Sequence, residues 1–231
     1  MFSVTVVKKL RWIFMNSKAV KLLCTGLILI VAFVIWTILV LTVDVKPIGV
    51  NETNIGFATL NMWFHSLTGV DMTLYNITDW LGLIAIFACI LFGILGFVQF
   101  IKRKSLFKVD FSLIVLGGYY IIVILCYLIF EMIPINYRPV LINGFMEVSY
   151  PSSTTLLVLS VMPTVNFQVK RRLTNMTFKR IICIGSILFS TCMIAGRLIS
   201  GVHWFTDIAG SVILSTGLFL SYKAIVTIKK V

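Results

Sequence analysis

The chain has 231 residues and a formal net charge of +12, yet only 12% of its residues are charged and 59% are hydrophobic. A water-soluble domain carries roughly a quarter charged residues, so the composition excludes an ordinary soluble protein, and it also excludes a disordered or coiled-coil chain. What remains is an all-α polytopic membrane protein with short connections between its spans.

Six apolar runs follow one another along the chain, and we expect each to form a membrane-spanning helix. They are Leu22–Val43, Leu81–Ile101, Phe111–Phe130, Ser152–Val169, Ile181–Ile199 and Phe205–Tyr222. The runs are continuous rather than alternating, which favours helices over the strands of a barrel. The first run is too long for a signal-peptide core, so we expect it to be retained as a span.

Basic residues cluster at the ends of these runs, as is typical of cytoplasmic loops. The clusters lie between Lys8 and Lys21, Lys102 and Lys108, Lys170 and Arg180, and Lys223 and Lys230. With the N-terminus in the cytoplasm, all four clusters fall inside and seven of the eight acidic residues fall outside. The sequence therefore predicts six transmembrane helices with both termini cytoplasmic, and the positive charge requires no nucleic-acid partner.

Two segments lie beside the predicted spans. Residues 1–21 mix apolar and basic side chains, which predicts an amphipathic helix on the inner membrane surface ahead of a membrane domain over residues 22–231. The outer loop 44–80 carries Phe57, Leu60, Phe64 and Leu67 at helical spacing, which predicts an interfacial helix. The five cysteines lie inside apolar runs without paired spacing, so we predict neither a disulfide nor a metal site.

The link between the fifth and sixth spans carries the strongest chemical signal. His203 and Asp207 are four residues apart, so on a helix they share a face and the carboxylate can hold one imidazole nitrogen. The other nitrogen remains free as a base or nucleophile. Arg197 lies one span length beyond Arg180, near the outer phosphate plane, where a guanidinium suits bidentate phosphate binding. The alternative is a helix cap beside a snorkelling arginine.

Two further polar groups fall on the same predicted face. Arg138 precedes Pro139 just outside the third span, where the alternative role is that of an interfacial anchor. The sequence Tyr-Pro-Ser-Ser-Thr-Thr over residues 150–155 opens the fourth span, where the free N–H groups of a helix start form an anion site or an ordinary N-cap. Two arginines, a helix N-terminus and a His–Asp pair at one depth predict a phosphate site with a nucleophile.

At these residues the sequence resembles the type 2 phosphatidic acid phosphatase family of integral membrane lipid phosphatases. Arg138-Pro139 matches the end of the family's first motif, and Pro151-Ser152 matches the start of its second. The third motif is matched at the family's spacing by Arg197, His203 and Asp207. The resemblance runs from about Glu131 to the end of the sixth span.

The resemblance implies a six-helix fold in which His203 forms a phosphohistidine and Asp207 orients it. It also implies that the phosphate is cradled without a metal or cofactor by Arg138, Arg197 and the start of the fourth span, which comprises Ser152, Ser153 and Thr154.

Two positions depart from the family pattern. Glu131 stands where the family has a phosphate-binding lysine, and Thr154 stands where the family has the histidine that protonates the leaving group. General acid catalysis contributes about 10²–10⁴-fold, and a phosphate leaving group needs it less than an alkoxide does. A lipid diphosphate, such as a polyprenyl diphosphate, is therefore the favoured substrate. Glu131 could supply a proton if burial raised its pKa, although the nearby arginines oppose this.

Three functions fit these observations. The favoured one is a lipid phosphatase or phosphotransferase that acts on the outer leaflet of the plasma membrane. The second is a catalytically impaired family member that binds or moves a phosphorylated lipid. The third, small-solute transport, has less support because the spans lack interior charges and no pair of half-helices is evident.

Overall fold

The computed structural model describes the backbone of residues 2–228 and the side chains of residues 17–228. Within this range the chain folds into seven α-helices joined by loops and two short 3₁₀ turns. The helices are α1 (Phe2–Thr42), α2 (Ala58–Thr68), α3 (Met72–Arg103), α4 (Phe111–Met132), α5 (Ser153–Arg172), α6 (Met176–Ile199) and α7 (Phe205–Ile228).

Five of these helices, α1, α3, α4, α6 and α7, are long and apolar enough to cross a membrane. This result confirms the prediction of an all-α, multi-pass membrane protein. Most of their large apolar side chains are exposed on the outside of the bundle, as lipid contact requires. The sixth span and the cytoplasmic location of both termini remain predictions.

The predicted fourth span corresponds to α5, which is less apolar than the other long helices. This helix packs against α3, α4, α6 and α7, so lipid contacts little of its surface. Two of its buried polar groups pair with neighbouring helices: the Ser160 carbonyl oxygen accepts a hydrogen bond from the Tyr119 hydroxyl at 2.9 Å, and the Gln168 amide donates to the Tyr222 hydroxyl at 2.7 Å. A helix enclosed by protein can carry such polar residues because neighbouring helices satisfy them.

The most extensive helix pairing joins α1 to α7. Glycines allow their backbones to approach closely: a Cβ on Gly26 would lie 2.9 Å from the carbonyl oxygen of Gly217, and a Cβ on Gly217 would lie 3.0 Å from that of Gly26. Small residues at helix crossings are the usual solution in lipid, where packing replaces the hydrophobic effect as the driving force. This pairing fixes the position of α7, which carries Asp207 at its start.

The two segments predicted beside the spans have different outcomes. Residues 2–21 continue directly into the first span as part of α1, and the side chains before Ser17, on which the amphipathic prediction depends, lie outside the described residues. In the outer loop, α2 forms where an interfacial helix was predicted. Trp63 and Leu67 on this helix are exposed by 58% and 65%, which suits a membrane surface.

Helix α3 begins at Met72, well before the predicted start of the second span at Leu81. The Asp71 carboxylate caps the helix by accepting a hydrogen bond from the Leu74 N–H at 2.9 Å. The Thr78 hydroxyl donates back to the Leu74 carbonyl at 2.9 Å and therefore needs no solvent. Periodicity alone gave no sign of these additional turns, because polar residues interrupt the apolar run there.

An ion-pair cluster joins three helices at the end of the bundle where α3 ends and α4 begins. The Asp110 carboxylate accepts hydrogen bonds from Arg172 on α5 at 2.9 Å and from Gln99 and Arg103 on α3, both at 3.1 Å. Burial alone would raise the pKa of Asp110, but the hydrogen bonds from Arg172, Gln99 and Arg103 outweigh it and hold the pKa at about 2. The cluster ties the ends of α3 and α5 to the start of α4.

We expect Asp110→Asn to lower the thermal midpoint of the detergent-solubilised protein by about 2–4 °C, which corresponds to about 1 kcal/mol for a partly exposed cluster. Because the pKa of Asp110 is depressed in the folded protein, its contribution is complete above about pH 4 and is lost as the pH falls toward 2. Thermal unfolding of the variant and the parent at pH 7 and pH 3 measures both effects. Glu52→Gln, which changes an exposed carboxylate, is the control; an equal shift in both variants would contradict the prediction.

Candidate active site

The loop between α4 and α5 folds back on itself and carries two of the three predicted site groups. Tyr137 and Val148 form an isolated antiparallel bridge. The Arg138 N–H donates to the Glu147 carbonyl at 3.0 Å, and the Ser149 N–H donates to the Asn136 carbonyl at 2.9 Å. This pairing brings Arg138 beside the first residues of α5, although fifteen or more positions separate them in the sequence.

The third group lies in the short turn between α6 and α7. Gly201 in this turn has φ +63°, and a Cβ there would lie 1.7 Å from the Gly69 carbonyl oxygen, so only glycine fits. Asp207 lies three residues after Trp204, the residue that precedes α7. Its carboxylate oxygen Oδ2 accepts a hydrogen bond from the Trp204 N–H at 3.0 Å, as in a capping box. The positive end of the helix dipole also favours a carboxylate at this position.

Asp207 faces His203 from the interior of the protein. The carboxylate is fully buried, and its Oδ1 accepts a hydrogen bond from the Asn136 amide at 3.1 Å. The Oδ2 atom lies 3.7 Å from Nδ1 of His203, which is a contact longer than a hydrogen bond. The predicted pair is therefore in place on one side of the imidazole, and the carboxylate is held by the backbone and by Asn136.

The other imidazole nitrogen faces an arginine. Nη1 of Arg138 lies 2.9 Å from Nε2 of His203. A guanidinium can only donate, so Nε2 must be the unprotonated acceptor and Nδ1 carries the proton toward Asp207. Burial lowers the pKa of His203 well below 6.5, and the charges of Arg138 and Arg197 lower it further. The imidazole is neutral at neutral pH, as a nucleophile requires.

Arg197 lies beside Arg138 on the opposite wall of the site. It is 1% exposed, and its guanidinium carbon lies 4.7 Å from the centre of the Tyr75 ring, whose centre is 5.3 Å from the guanidinium carbon of Arg138. One aromatic ring thus contacts both cations. The Nε–H of Arg197 is buried and has no hydrogen-bond partner among the described residues, so it is free to bind a ligand.

A carboxylate accompanies each guanidinium. Oε2 of Glu147 lies 3.0 Å from Nε of Arg138, and Oδ1 of Asp79 lies 2.5 Å from Nη2 of Arg197. Both arginine side chains are more than nine-tenths buried, whereas the Glu147 and Asp79 side chains are 42% and 56% exposed. The carboxylates therefore line the open side of the site and offset the cost of burying the two cations.

Two cavities adjoin these residues. The first, of about 310 Å³, is lined by Glu131, Arg138, Glu147, Ser149 and Ser153 together with apolar groups. The second, of about 500 Å³, lies between α3, α4 and α5 and is almost entirely apolar. Its polar lining includes Asp79, Ser153 and Thr154, so Ser153 borders both cavities. An apolar space beside buried cations suits a ligand with a phosphate and a hydrocarbon tail.

The structure brings most of the predicted residues together. Arg138, Arg197, His203 and Asp207 converge, and Arg197 donates a hydrogen bond to the Thr154 hydroxyl at the start of α5. Ser152 makes no side-chain cap bond; its buried hydroxyl lies 3.0 Å from that of Thr155, and it does not contribute to the lining of the two cavities.

Glu131 and the second histidine lie at the edges of this arrangement. Glu131 is exposed at the end of α4 and borders the smaller cavity. His65, predicted to be interfacial, packs its ring 5.6 Å from the Trp204 indole, and burial lowers its pKa. Among residues 17–228, no group of three His, Cys, Asp or Glu side chains could hold a metal ion.

Several contributors were not identified from the sequence. Tyr75 and Asp79 lie in the additional turns of α3, which the sequence assigned to a loop. Asn136 and Glu147 lie in the loop before α5 and resemble ordinary surface residues. The isolated acidic residue close to an apolar run was the only signal for Asp79, since a charge at membrane depth is costly unless it is paired.

Comparisons with known proteins agree with this arrangement. Residues 107–230, more than half of the chain, match the family model described as the PAP2 superfamily. The crystal structure of a transmembrane PAP2-type phosphatidylglycerolphosphate phosphatase from Bacillus subtilis superposes with a TM-score of 0.57 and 18% sequence identity, over 87% of this chain and 95% of that chain. At this identity the similarity shows the fold alone. The comparison with curated proteins gives no match.

We expect Tyr75→Leu and Arg138→Met to be energetically coupled, because the Tyr75 ring supports the Arg138 guanidinium. A double-mutant cycle of thermal stabilities should give a coupling free energy of about 0.5–1 kcal/mol. Tyr75→Phe, which keeps the aromatic face, is the matched control and should retain the coupling. Additive effects of the leucine and methionine substitutions would show that the ring only fills space.

Proposed function

We propose that this chain, which belongs to the PAP2 superfamily of phosphoric ester hydrolases, is a membrane phosphatase that acts on a phosphorylated lipid through a phosphohistidine on His203. The observation that carries the proposal is the state of that imidazole. Its Nε2 is unprotonated and faces Arg138 at 2.9 Å, while Asp207 stands behind Nδ1. A neutral imidazole with this tautomer is ready to attack phosphorus.

The reaction has two displacement steps. In the first, the lone pair of Nε2 forms a bond to phosphorus and the bond from phosphorus to the leaving oxygen breaks. The positive charge that develops on the imidazole is stabilised by the buried Asp207 carboxylate. In the second, water attacks phosphorus, the P–N bond breaks and inorganic phosphate leaves. No metal or cofactor takes part in the proposed reaction.

Three groups support phosphate binding. The Arg197 Nε–H is buried and has no partner within residues 17–228, and Arg138 can donate to a phosphate oxygen once its Nη1 moves from Nε2 of His203. The first N–H groups of α5 have no partner within the helix, and Ser152 makes no side-chain cap bond to them. Helix N-termini bind anions through such groups, which supports the proposal that Ser153 and Thr154 lie beside the phosphate.

The proposed substrate is a lipid diphosphate, with polyprenyl diphosphate as the favoured example. The apolar cavity of about 500 Å³ gives space for the first part of a hydrocarbon tail. Thr154 cannot act as the general acid that the family's histidine provides, and a phosphate leaving group depends least on such an acid. The site is proposed to face the outer leaflet of the plasma membrane, because the predicted cytoplasmic loops carry the basic clusters.

A second candidate is a family member that binds or moves a phosphorylated lipid without turning it over. The observation in its favour is that both arginines already have carboxylate partners, Glu147 and Asp79. A phosphate must compete with these carboxylates, and Glu131 adds a further negative charge at the cavity edge. Slow or absent turnover with retained lipid binding is what this arrangement would produce.

We expect the purified protein in detergent micelles to release phosphate faster from polyprenyl diphosphate than from phosphatidic acid. His203→Ala should lower both rates by at least about 10³-fold, because no other group can form the phosphoenzyme. His65→Ala removes the only other histidine of the chain and should leave most of the activity in place. Phosphate release and acid-labile phosphoenzyme are the measured quantities.

Each component of the proposal has its own contrary result. Turnover that survives His203→Ala would exclude this residue as the nucleophile. Faster turnover of phosphatidic acid than of the diphosphate would contradict the leaving-group argument. Lipid binding without His203-dependent release from either substrate would favour the second candidate.

We expect Thr154→His to raise the turnover of phosphatidic acid by about tenfold or more, because it restores an acid at the family's position. Thr154 borders the apolar cavity of about 500 Å³, which gives space for a larger ring at this position. Thr154→Val, which removes the hydroxyl without adding an acid, is the matched control. Equal rates for the histidine and valine variants would show that position 154 does not reach the leaving oxygen.

A further inference from the structure

The Asp79 carboxylate lies next to Thr154, the position at which the family's acid histidine is missing. The Thr154 hydroxyl donates to Oδ1 of Asp79 at 3.3 Å, and the same oxygen is 2.5 Å from Nη2 of Arg197. Asp79 belongs to α3 and lies before residue 107, outside the range that matches the family model. An acidic side chain from another helix thus reaches the position at which this chain lacks the family's acid.

The apolar cavity and the two arginines indicate how a substrate would be oriented in the site. The hydrocarbon tail is part of the leaving group, so the leaving oxygen lies toward the apolar cavity, which Asp79 and Thr154 border. The nucleophilic Nε2 of His203 lies at the other guanidinium, that of Arg138. Both guanidinium groups stand over the Tyr75 ring. A phosphate bound between the two guanidinium groups would have Nε2 of His203 on its Arg138 side and Asp79 on its Arg197 side, the order that an in-line displacement needs.

The surroundings of Asp79 leave its carboxyl group within reach of a bound substrate. Its side chain is 56% exposed, and the Arg197 guanidinium and the Thr154 hydroxyl are its hydrogen-bond partners among the described residues. A phosphate that binds Arg197 competes with Asp79 for this guanidinium. The carboxyl group that loses this partner is then available to the leaving oxygen.

We propose that Asp79 is a further catalytic residue, which protonates the leaving oxygen and then accepts a proton from the attacking water. As the Nε2–phosphorus bond forms and the bond from phosphorus to the leaving oxygen breaks, that oxygen takes the proton of the Asp79 carboxyl. In the second step, water gives a proton to the Asp79 carboxylate as its oxygen binds phosphorus and the P–N bond breaks. The cycle returns Asp79 and His203 to their starting states, with one water consumed.

This inference rests on the proposed function, and its test uses substrates that differ in leaving group but share their tails. The leaving group of phosphatidic acid is the alkoxide of diacylglycerol. The leaving group of diacylglycerol diphosphate is phosphatidic acid itself, which leaves through a phosphate oxygen. In the full-length protein, Asp79→Asn should lower kcat on phosphatidic acid by about 10²-fold and kcat on the diphosphate by less than about fivefold. The ratio of kcat on the diphosphate to kcat on phosphatidic acid should therefore be larger in the variant than in the parent protein.

Glu147→Gln is the matched control, because it removes the carboxylate partner of the other arginine. It should change the two rates by similar factors, since Glu147 does not border the tail cavity. Asp79→Glu, which keeps a carboxyl group, should recover part of the rate on phosphatidic acid.

The contrary outcomes separate this inference from the function on which it rests. If Asp79→Asn lowers both rates equally while both still depend on His203, Asp79 only positions Arg197. If the substitution lowers neither rate, Asp79 has no role in the reaction. In that case the proposed function stands and this inference is overturned. If neither substrate is turned over in a His203-dependent way by the parent protein, both are overturned.

Discussion

The burial of two guanidinium groups beside one imidazole is the constraint on which the rest of the site depends. A buried cation is costly unless charges and hydrogen bonds compensate it. Arg197 finds its compensation in Asp79, the Thr154 hydroxyl and the face of Tyr75, all outside its own helix. Helix α3 must therefore lie close to α6. Gly196 permits this approach, because a Cβ there would lie 2.6 Å from the methyl group of Thr78.

The same two cations determine the protonation of the nucleophile. Positive charges on one side and a desolvated interior keep His203 neutral, and the donor from Arg138 selects the tautomer with the free lone pair on Nε2. Asp207 is the negative group on the other side of the ring. Its capping interaction with the N-terminus of α7 and its hydrogen bond from the Asn136 amide hold it behind Nδ1. Helix starts thus orient both the proposed nucleophile and the proposed phosphate-binding groups.

The carboxylates beside the arginines give the site a second property. Glu147 and Asp79 keep the guanidinium groups paired, so a phosphorylated ligand gains less from binding than it would gain from two free arginines. Such competition favours ligands with more negative charge, and a diphosphate carries more than a monoester. When a phosphate replaces Asp79 at Arg197, the released carboxylate lies next to the proposed leaving oxygen, which is the basis of the role proposed for Asp79.

The sequence by itself determined the class of the protein and the core of its proposed site. Continuous apolar runs specify lipid-exposed helices, which is why five of the six predicted spans meet the length and hydropathy of membrane helices. The pairing of His203 with Asp207 is local, so it could be read from the sequence, although His203 lies in the turn before α7 and only Asp207 lies on the helix. The enclosed helix α5 is polar because protein surrounds it, and its hydropathy therefore gave a weaker signal.

Only the tertiary structure decided which carboxylates and aromatic groups reach the arginines. Asp79 and Tyr75 are more than a hundred residues from Arg197 in the sequence, and no pattern links residues whose contact arises from the packing of α3 against α5 and α6. The sequence showed that a histidine was missing at position 154. It could not show that an acid from another helix stands beside that position, because helix packing sets this distance and local periodicity does not.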